Sequence, residues 1–439
     1  MILEDASVLL GRELSFVSQG FIEIGNDGLI IKAGPGRYSK NNSTLAKSNQ
    51  IDRSTRRINA EGFLVTPGFI NAHTHIGDSI GKDVGVESGL DARVHPIFGI
   101  KRSILKNSRP EHLRYFMRNS AISMMKKGIT AFADFREGGE EGVQLLRDAI
   151  SDLPIKSVIL GRVEYYFDPS KKRKRKNSQR IEAVVRKKGK LSKSPDLTPQ
   201  QLQHARKVLS ASDGLGLSGA NENTDESLKQ YHSLVDKRFI GKTLKKPLLS
   251  IHAAESKETN NLSRLNTGRT EVERIMQYLK PDFIVHMTNA AEEDFTLVSN
   301  NKCGIVICPR ANAVIGVGIP RVAKMLKSGC TVGIGTDNVM LNSPDILREM
   351  DYIWKASRAT EDDLINPKEI LKLATVNGAE LLGLNSGYIA DGRAADLIFI
   401  DKRHIDLYPV HNAYASIIHR ATQNSIRAVM INGKFVNEL

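Results

Sequence analysis

Residues 66–78 read TPGFINAHTHIGD, an apolar run that ends by placing His73 and His75 two positions apart. A strand alternates its faces with period two, so the two imidazoles share one face at the end of a short strand. Two of eleven histidines can also fall this close by chance, so the pair alone leaves metal binding and coincidence open. The rest of the chain decides between them.

Downstream of this stretch, short apolar runs alternate with longer segments of helical period. Strands are expected at LVTPGFINAHTH, ITAFADFRE, IKSVILGRVEYYF, GLGLSG, PLLSIHAAE, DFIVHMTN, CGIVICPRAN and TVGIGTDN, with helices such as EHLRYFMRNSAISMMKKG, TPQQLQHARKVLSAS and TEVERIMQYLK between them. Eight short apolar strands, each followed by a helical segment, point to an α/β fold of the (β/α)8 TIM-barrel class. A doubly wound sheet is the alternative, but no glycine-rich phosphate loop follows the first strand. Both ends of the chain have a different texture. FIEIGNDGLIIKAG near the start, and GYIADGRAADLIFID and IRAVMINGKFVNEL near the end, alternate around Asn26-Asp27-Gly28 and Asn432-Gly433, which are hairpin signals. The expected organisation is a small β-sandwich domain from residues 1–65 and 385–439, around a barrel at 66–384.

The bulk numbers fit this plan. At 40% hydrophobic and 26% charged, the 439 residues are ordinary for a globular protein with a real core. No apolar run approaches the ~20 residues needed to span a bilayer, and MILEDASVLL is acidic where a secretory leader starts basic. Cys303, Cys308 and Cys330 are too few, and odd in number, for a disulfide framework. A cytoplasmic, reduced protein is expected. The net charge of +14 is local: Asp168–Ser194 carries twelve Lys and Arg against Asp168 and Glu182, or +10. This basic insertion, at about 168–197, reads either as an arm for nucleic acid or as a solvated, self-repelling loop. It lacks interleaved aromatics, which favours the loop.

Catalysis in barrels is done at the C-terminal ends of the strands. The first expected strand ends in His73 and His75, the fifth in His252 with Glu255 three residues on, the sixth in His286 and the eighth in Asp337. A lone buried histidine is usually a satisfied core residue. Polar groups ending four apolar strands are not.

These residues carry a resemblance. PGFINAHTH, HAAE, the strand-six histidine and GTD resemble the amidohydrolase superfamily, in its branch of aromatic-base deaminases and chlorohydrolases, and the likeness runs from the first strands to Leu439. It implies one divalent metal held by His73, His75, His252 and Asp337; imidazole and carboxylate suit Zn²⁺, with Fe²⁺ the alternative. It implies water activated on that metal, Glu255 carrying protons to a ring nitrogen and the leaving ammonia, and His286 polarising the forming oxyanion. Asp337 has a second expected role, relaying the water proton. Binuclear relatives place a carboxylated lysine at the end of strand four, where this chain reads GLGLSGANEN, so a mononuclear site is expected.

The chain departs from the family where substrate is chosen. Relatives acting on adenosine and thioadenosine carry an RG…D loop and a tryptophan after the histidine pair; here the segment is IGDSIGKDVGVESGLDARVHP, and the single tryptophan is Trp354. CPRAN stands where CP-S-N is usual, so Arg310 is expected to hold a substrate carboxylate or phosphate, with Arg136 and Glu137 also reaching the barrel mouth. These departures point away from adenosine itself. The expected activity is a metal-dependent hydrolysis of a non-peptide C–N bond, deaminating an amino-substituted N-heterocycle. The runner-up opens a cyclic amide or imine, of imidazolone or formimino type; a nucleic-acid-associated binding protein using Lys171–Ser194 comes third. By family analogy the enzyme is a homo-oligomer with a small-molecule substrate and no membrane partner.

Overall fold

The computed structural model describes residues 1–39, 56–164, 196–240, 246–361 and 364–436, with the side chains of 237–240 left aside. The basic stretch Lys171–Ser194 lies outside the described residues. Eight parallel strands form the barrel wall: β1 (Phe69–His75), β2 (Ile129–Arg136), β3 (Lys156–Gly161), β4 (Gly214–Gly219), β5 (Leu248–Ala253), β6 (Phe283–His286), β7 (Gly304–Ile307) and β8, which runs as Val332–Ile334 and resumes at Asp337–Asn338. The first part of β8 bonds β7, and the second part bonds β1 through Thr74↔Asp337 and His75↔Asn338. That second pairing closes the ring. The seam is reinforced by Asn71, whose Nδ2 donates to Thr336 Oγ1 at 2.7 Å while its Oδ1 accepts from the Thr336 backbone at 3.0 Å. At Gly335 a Cβ would stand 2.7 Å from both Cβ and carbonyl oxygen of His73, so no larger residue fits where the two strands meet.

The helical segments form where expected. Pro110–Lys126, Pro199–Ala211 and Glu271–Tyr278 follow the apolar periodicity, and Thr198 and Thr270 cap the last two with full capping boxes. Alternate residues of β2 face two different cores. Phe132 packs in the layer between wall and helices, whereas Ala131, Ala133 and Phe135 join Val158, Leu160, Phe283, Val285 and Val306. The Phe135 and Phe283 rings lie 6.3 Å apart although their strands are not neighbours in the wall, so this second cluster fills the barrel interior.

The two ends of the chain build a separate sheet, in the order Lys434–Phe435, Ile426–Ile431, Leu397–Asp401, Phe63–Pro67, Ile2–Leu10, Ser15–Ile24, Ile30–Pro35, with Arg57–Asn59 also on Ile2–Leu10. Hydrogen bonds run through it in one continuous path. The two turn signals do connect antiparallel strands, and Asn432 and Gly433 both take positive φ (49° and 73°), as a tight primed turn requires. The run LVTPGFINAHTH divides at Gly68: Phe63–Pro67 pairs with Leu397–Asp401 in the terminal sheet, and Phe69–His75 enters the barrel. Among the described residues no helix is long and apolar enough to cross a membrane.

Candidate metal centre

The six strand-end groups converge. Ligand atoms of His73, His75 and His252 lie within 4.8 Å of one another, as do those of Glu255, His286 and Asp337. The two trios touch through Asp337 Oδ1, which lies 3.3 Å from His73 Nε2 and 3.6 Å from His75 Nε2. The His73 ring is 5.0 Å from that of His252, and His75 and His252 stack at 5.7 Å. Phe135 floors the cluster, with its ring 4.4 Å from His73 and 5.1 Å from His252. Positive φ recurs at these ends: Ala254 (48°), His286 (74°), Met287 (55°) and Asp337 (59°). Such non-glycine conformations cost on the order of 1 kcal/mol or more each and gather at functional sites.

Hydrogen bonds sort the imidazole nitrogens. Nδ1 of His75 sits 2.9 Å from both the Phe135 carbonyl and Glu137 Oε1, and Nδ1 of His252 sits 2.9 Å from the Leu217 carbonyl. Each must donate there, which leaves Nε2 of each ring a lone pair for the cluster. Nδ1 of His73 is buried with no hydrogen-bond partner. For His286, Asn312 offers its amide nitrogen at 3.2 Å from Nδ1, because Asn312 Oδ1 is taken by Thr288. A neutral His286 accepting at Nδ1 carries its proton on Nε2, which faces Glu255 Oε1 at 3.6 Å.

The electrostatics put these groups in ligand form. Burial pushes His73 down to about 4 and His75 to about 3, and it carries His252 well below its ordinary value, so all three are neutral near pH 7. Burial works against ionisation of Asp337, but the hydrogen bond from His73 and the nearby imidazoles hold its carboxyl well below the usual range. Glu255 is different: burial dominates and pushes it up to about 7. Three neutral imidazoles, that of His73 with an orphaned buried ring nitrogen, and one ionised carboxylate form a donor set that fits a divalent cation with N/O preference. When bound, that ion supplies Lewis acidity and an activated water.

The cluster forms the floor of a cavity of about 90 Å³ whose walls include Asp91, His95, Lys101, Arg162, Glu222 and Asn338. A larger cavity, of about 400 Å³, adjoins it and shares Val94, His95, Pro96, Lys101 and Arg162. Neither expected substrate arginine lines the first cavity. Arg310 turns away to the loop behind β8, where its Nη1 meets Ser343 O and Glu349 Oε1, each at 3.3 Å. A fully buried Glu349 is a nearby partner that the sequence spacing does not reveal. Arg136 is 2% exposed, donates from Nε to the Glu137 carbonyl at 3.0 Å, and lines only the larger cavity. Other charged residues wall the site instead. Arg162 and Glu222 follow the ends of β3 and β4, where the strand-end rule could have found them. Lys101 lies in a helix (Ile100–Asn107) after an aperiodic segment that carries no such signal.

The amidohydrolase family profile matches residues 64–436. The chain belongs to the amidohydrolase family. A protein of Methanothermobacter thermautotrophicus is 39% identical over 436 residues, covering 99% of each chain. A 5-methylthioadenosine/S-adenosylhomocysteine deaminase of Thermococcus sibiricus is 26% identical over 96% of this amidohydrolase and 93% of its own length. Among solved structures, an adenosine deaminase from Xanthomonas campestris with bound zinc superposes with a TM-score of 0.79 at 18% identity, across 99% of this chain and 92% of its own. The fold is thus that of the metal-dependent amidohydrolase barrels, and the chain is a C–N hydrolase of that family.

Proposed function

We propose that this amidohydrolase deaminates an amino-substituted N-heterocycle at a mononuclear zinc centre held by His73, His75, His252 and Asp337. The observation that carries the reading is Glu255. It stands beside the ligand set without belonging to it, partly buried, facing His286 Nε2 and open to the same cavity. A carboxyl poised near neutrality takes a proton as readily as it gives one. Deamination needs each act twice: the water oxygen gives up its two protons in turn, the first delivered to the ring nitrogen as the C–O bond forms and the second to the amine as the C–N bond breaks and ammonia leaves. Amide opening needs the same base but leaves no free ammonia.

In this arrangement Glu255 moves the protons. His286, fixed by Asn312 as the Nε2–H tautomer, stabilises negative charge developing on the reacting oxygen. Asp337 would hold the cation and, through its second oxygen, orient the attacking water. The β4 end, GLGLSGANE, offers no lysine to bridge a second ion, which supports one metal per chain. Iron in place of zinc would leave these residue roles unchanged.

The test is ammonia release from a panel of aminopurines, aminopyrimidines, aminotriazines and their thioadenosine-type derivatives, with metal per chain measured on the same preparation. About one equivalent of metal together with ammonia release supports the proposal. Two equivalents, or ring opening without ammonia, would move the assignment to the amide or imine reading.

A further inference from the structure

Lys101 is 4% exposed, yet it is a cation on the wall of a cavity that sits over a cation site. Its partners explain its position. Nζ donates to Asn338 Oδ1 at 2.6 Å and contacts Glu137 Oε1 at 2.6 Å, with Asp78 Oδ2 at 3.7 Å. Each main partner grips one residue of the proposed ligand set. Glu137 Oε1 is 2.9 Å from His75 Nδ1, and Asn338 Nδ2 donates to Asp337 Oδ1 at 2.9 Å. His75 ends β1 and Asp337 opens the second part of β8, so the two arms meet across the seam that closes the barrel.

We infer that Lys101 is a positioning residue for the metal centre, fixing the rotamers of Glu137 and Asn338 and through them His75 and Asp337. This rests on the proposed ligand set. Two other roles are possible for a lysine here, and both fit less well. A substrate contact would need free N–H groups, but two of the ammonium's three are directed at Asn338 and Glu137, with Asp78 Oδ2 further off at 3.7 Å. A purely electrostatic role would repel the ion, so removing the charge would tighten metal binding. Glu137, at 2.6 Å, cancels most of that field. What remains is orientation, and outer groups that orient metal ligands are worth roughly 10- to 100-fold in affinity.

The experiment is zinc affinity, measured on the full-length chain by competition with a chromophoric chelator, for wild type, Lys101→Met, Asn338→Ala and the pair combined. Each single variant should bind zinc at least about tenfold more weakly, and the double variant little more weakly than the worse single one, since losing Lys101 already loosens the Asn338 arm. Ile104→Ala, on the same helix but outside the network, should bind as wild type and so separates orientation from loosening of the helix. Should Lys101→Met fail to fold because Glu137 keeps only Arg162 Nη1, at 3.3 Å, as a cationic partner, Lys101→Met/Glu137→Gln removes that buried charge, and Asn338→Ala strands none. Affinity within twofold of wild type in Asn338→Ala or in a folded Lys101 variant, or tighter binding in either, overturns the inference. Wild type binding no zinc would instead overturn the proposed metal centre.

Discussion

Replacing Glu255 with glutamine separates chemistry from architecture at this site. Glutamine keeps the size and the oxygen that faces His286 Nε2 at 3.6 Å, and Glu255 is not among the four proposed ligands, so metal content should stay at the wild-type level. The proton transfers are lost. Burial pushes the carboxyl up to about 7, which places Glu255 where it can act as base in the first step. The same group, once protonated, delivers that proton. General acid–base catalysis by one placed group contributes typically 10²- to 10⁴-fold, or about 3–5 kcal/mol of barrier. Glu255→Gln should therefore lower kcat by at least about a hundredfold with KM changed far less. The assay couples ammonia release to a nicotinamide-linked dehydrogenase, on samples whose metal content is measured first. A variant retaining more than about a tenth of wild-type kcat would refute the role. Loss of metal would instead make Glu255 a ligand and overturn the division between cage and proton carrier.

Asp337→Ala removes the only carboxylate of the proposed cage, and metal analysis should find the protein emptied to well below one equivalent; full occupancy would show that the ion sits elsewhere. Gly335→Ala forces a Cβ to 2.7 Å from His73, and overpacking of this kind costs roughly 1–3 kcal/mol; chemical denaturation should register it, and wild-type stability would mean the seam can yield. Asp134 accepts a hydrogen bond from the Ile76 backbone at 2.6 Å, and burial pushes its carboxyl from 3.8 up to about 7. The folded state thus keeps a proton that the unfolded chain loses, so this group's stabilisation is full below pH ~4 and is lost as pH rises through about 7. Asp134→Asn should accordingly shrink the fall in unfolding free energy between pH 5 and pH 8, and an unchanged fall would discount the group.

The barrel and the convergence of His73, His75, His252, His286, Glu255 and Asp337 were legible because they rest on strict local rules. Strands are short apolar runs, and their last polar residue faces the mouth. Those rules do not reach the loops and long side chains around the mouth. Arg310 was placed by its position after β7, yet an arginine side chain is long enough to choose among partners, and it found Glu349, thirty-nine residues on. Lys101 and Glu137 touch because a short helix after β1 and the residue after β2 meet at the mouth, and nothing in either segment's periodicity encodes that meeting. The join at Gly68 was hidden for a simpler reason: one unbroken apolar run serves two sheets.

The closing seam also has a practical use. The backbone N–H of Thr336 donates to the His73 carbonyl at 2.9 Å, and the Thr74 hydroxyl donates to the Asp337 carbonyl at 2.9 Å, so the last bonds of the ring involve two residues of the proposed ligand set. Whatever steadies that cage also slows local opening of the seam. Deuterium uptake at the Thr336 amide is therefore a gauge of occupancy that needs no turnover. It can rank metals, and then candidate heterocycles, before any of them is known to be a substrate.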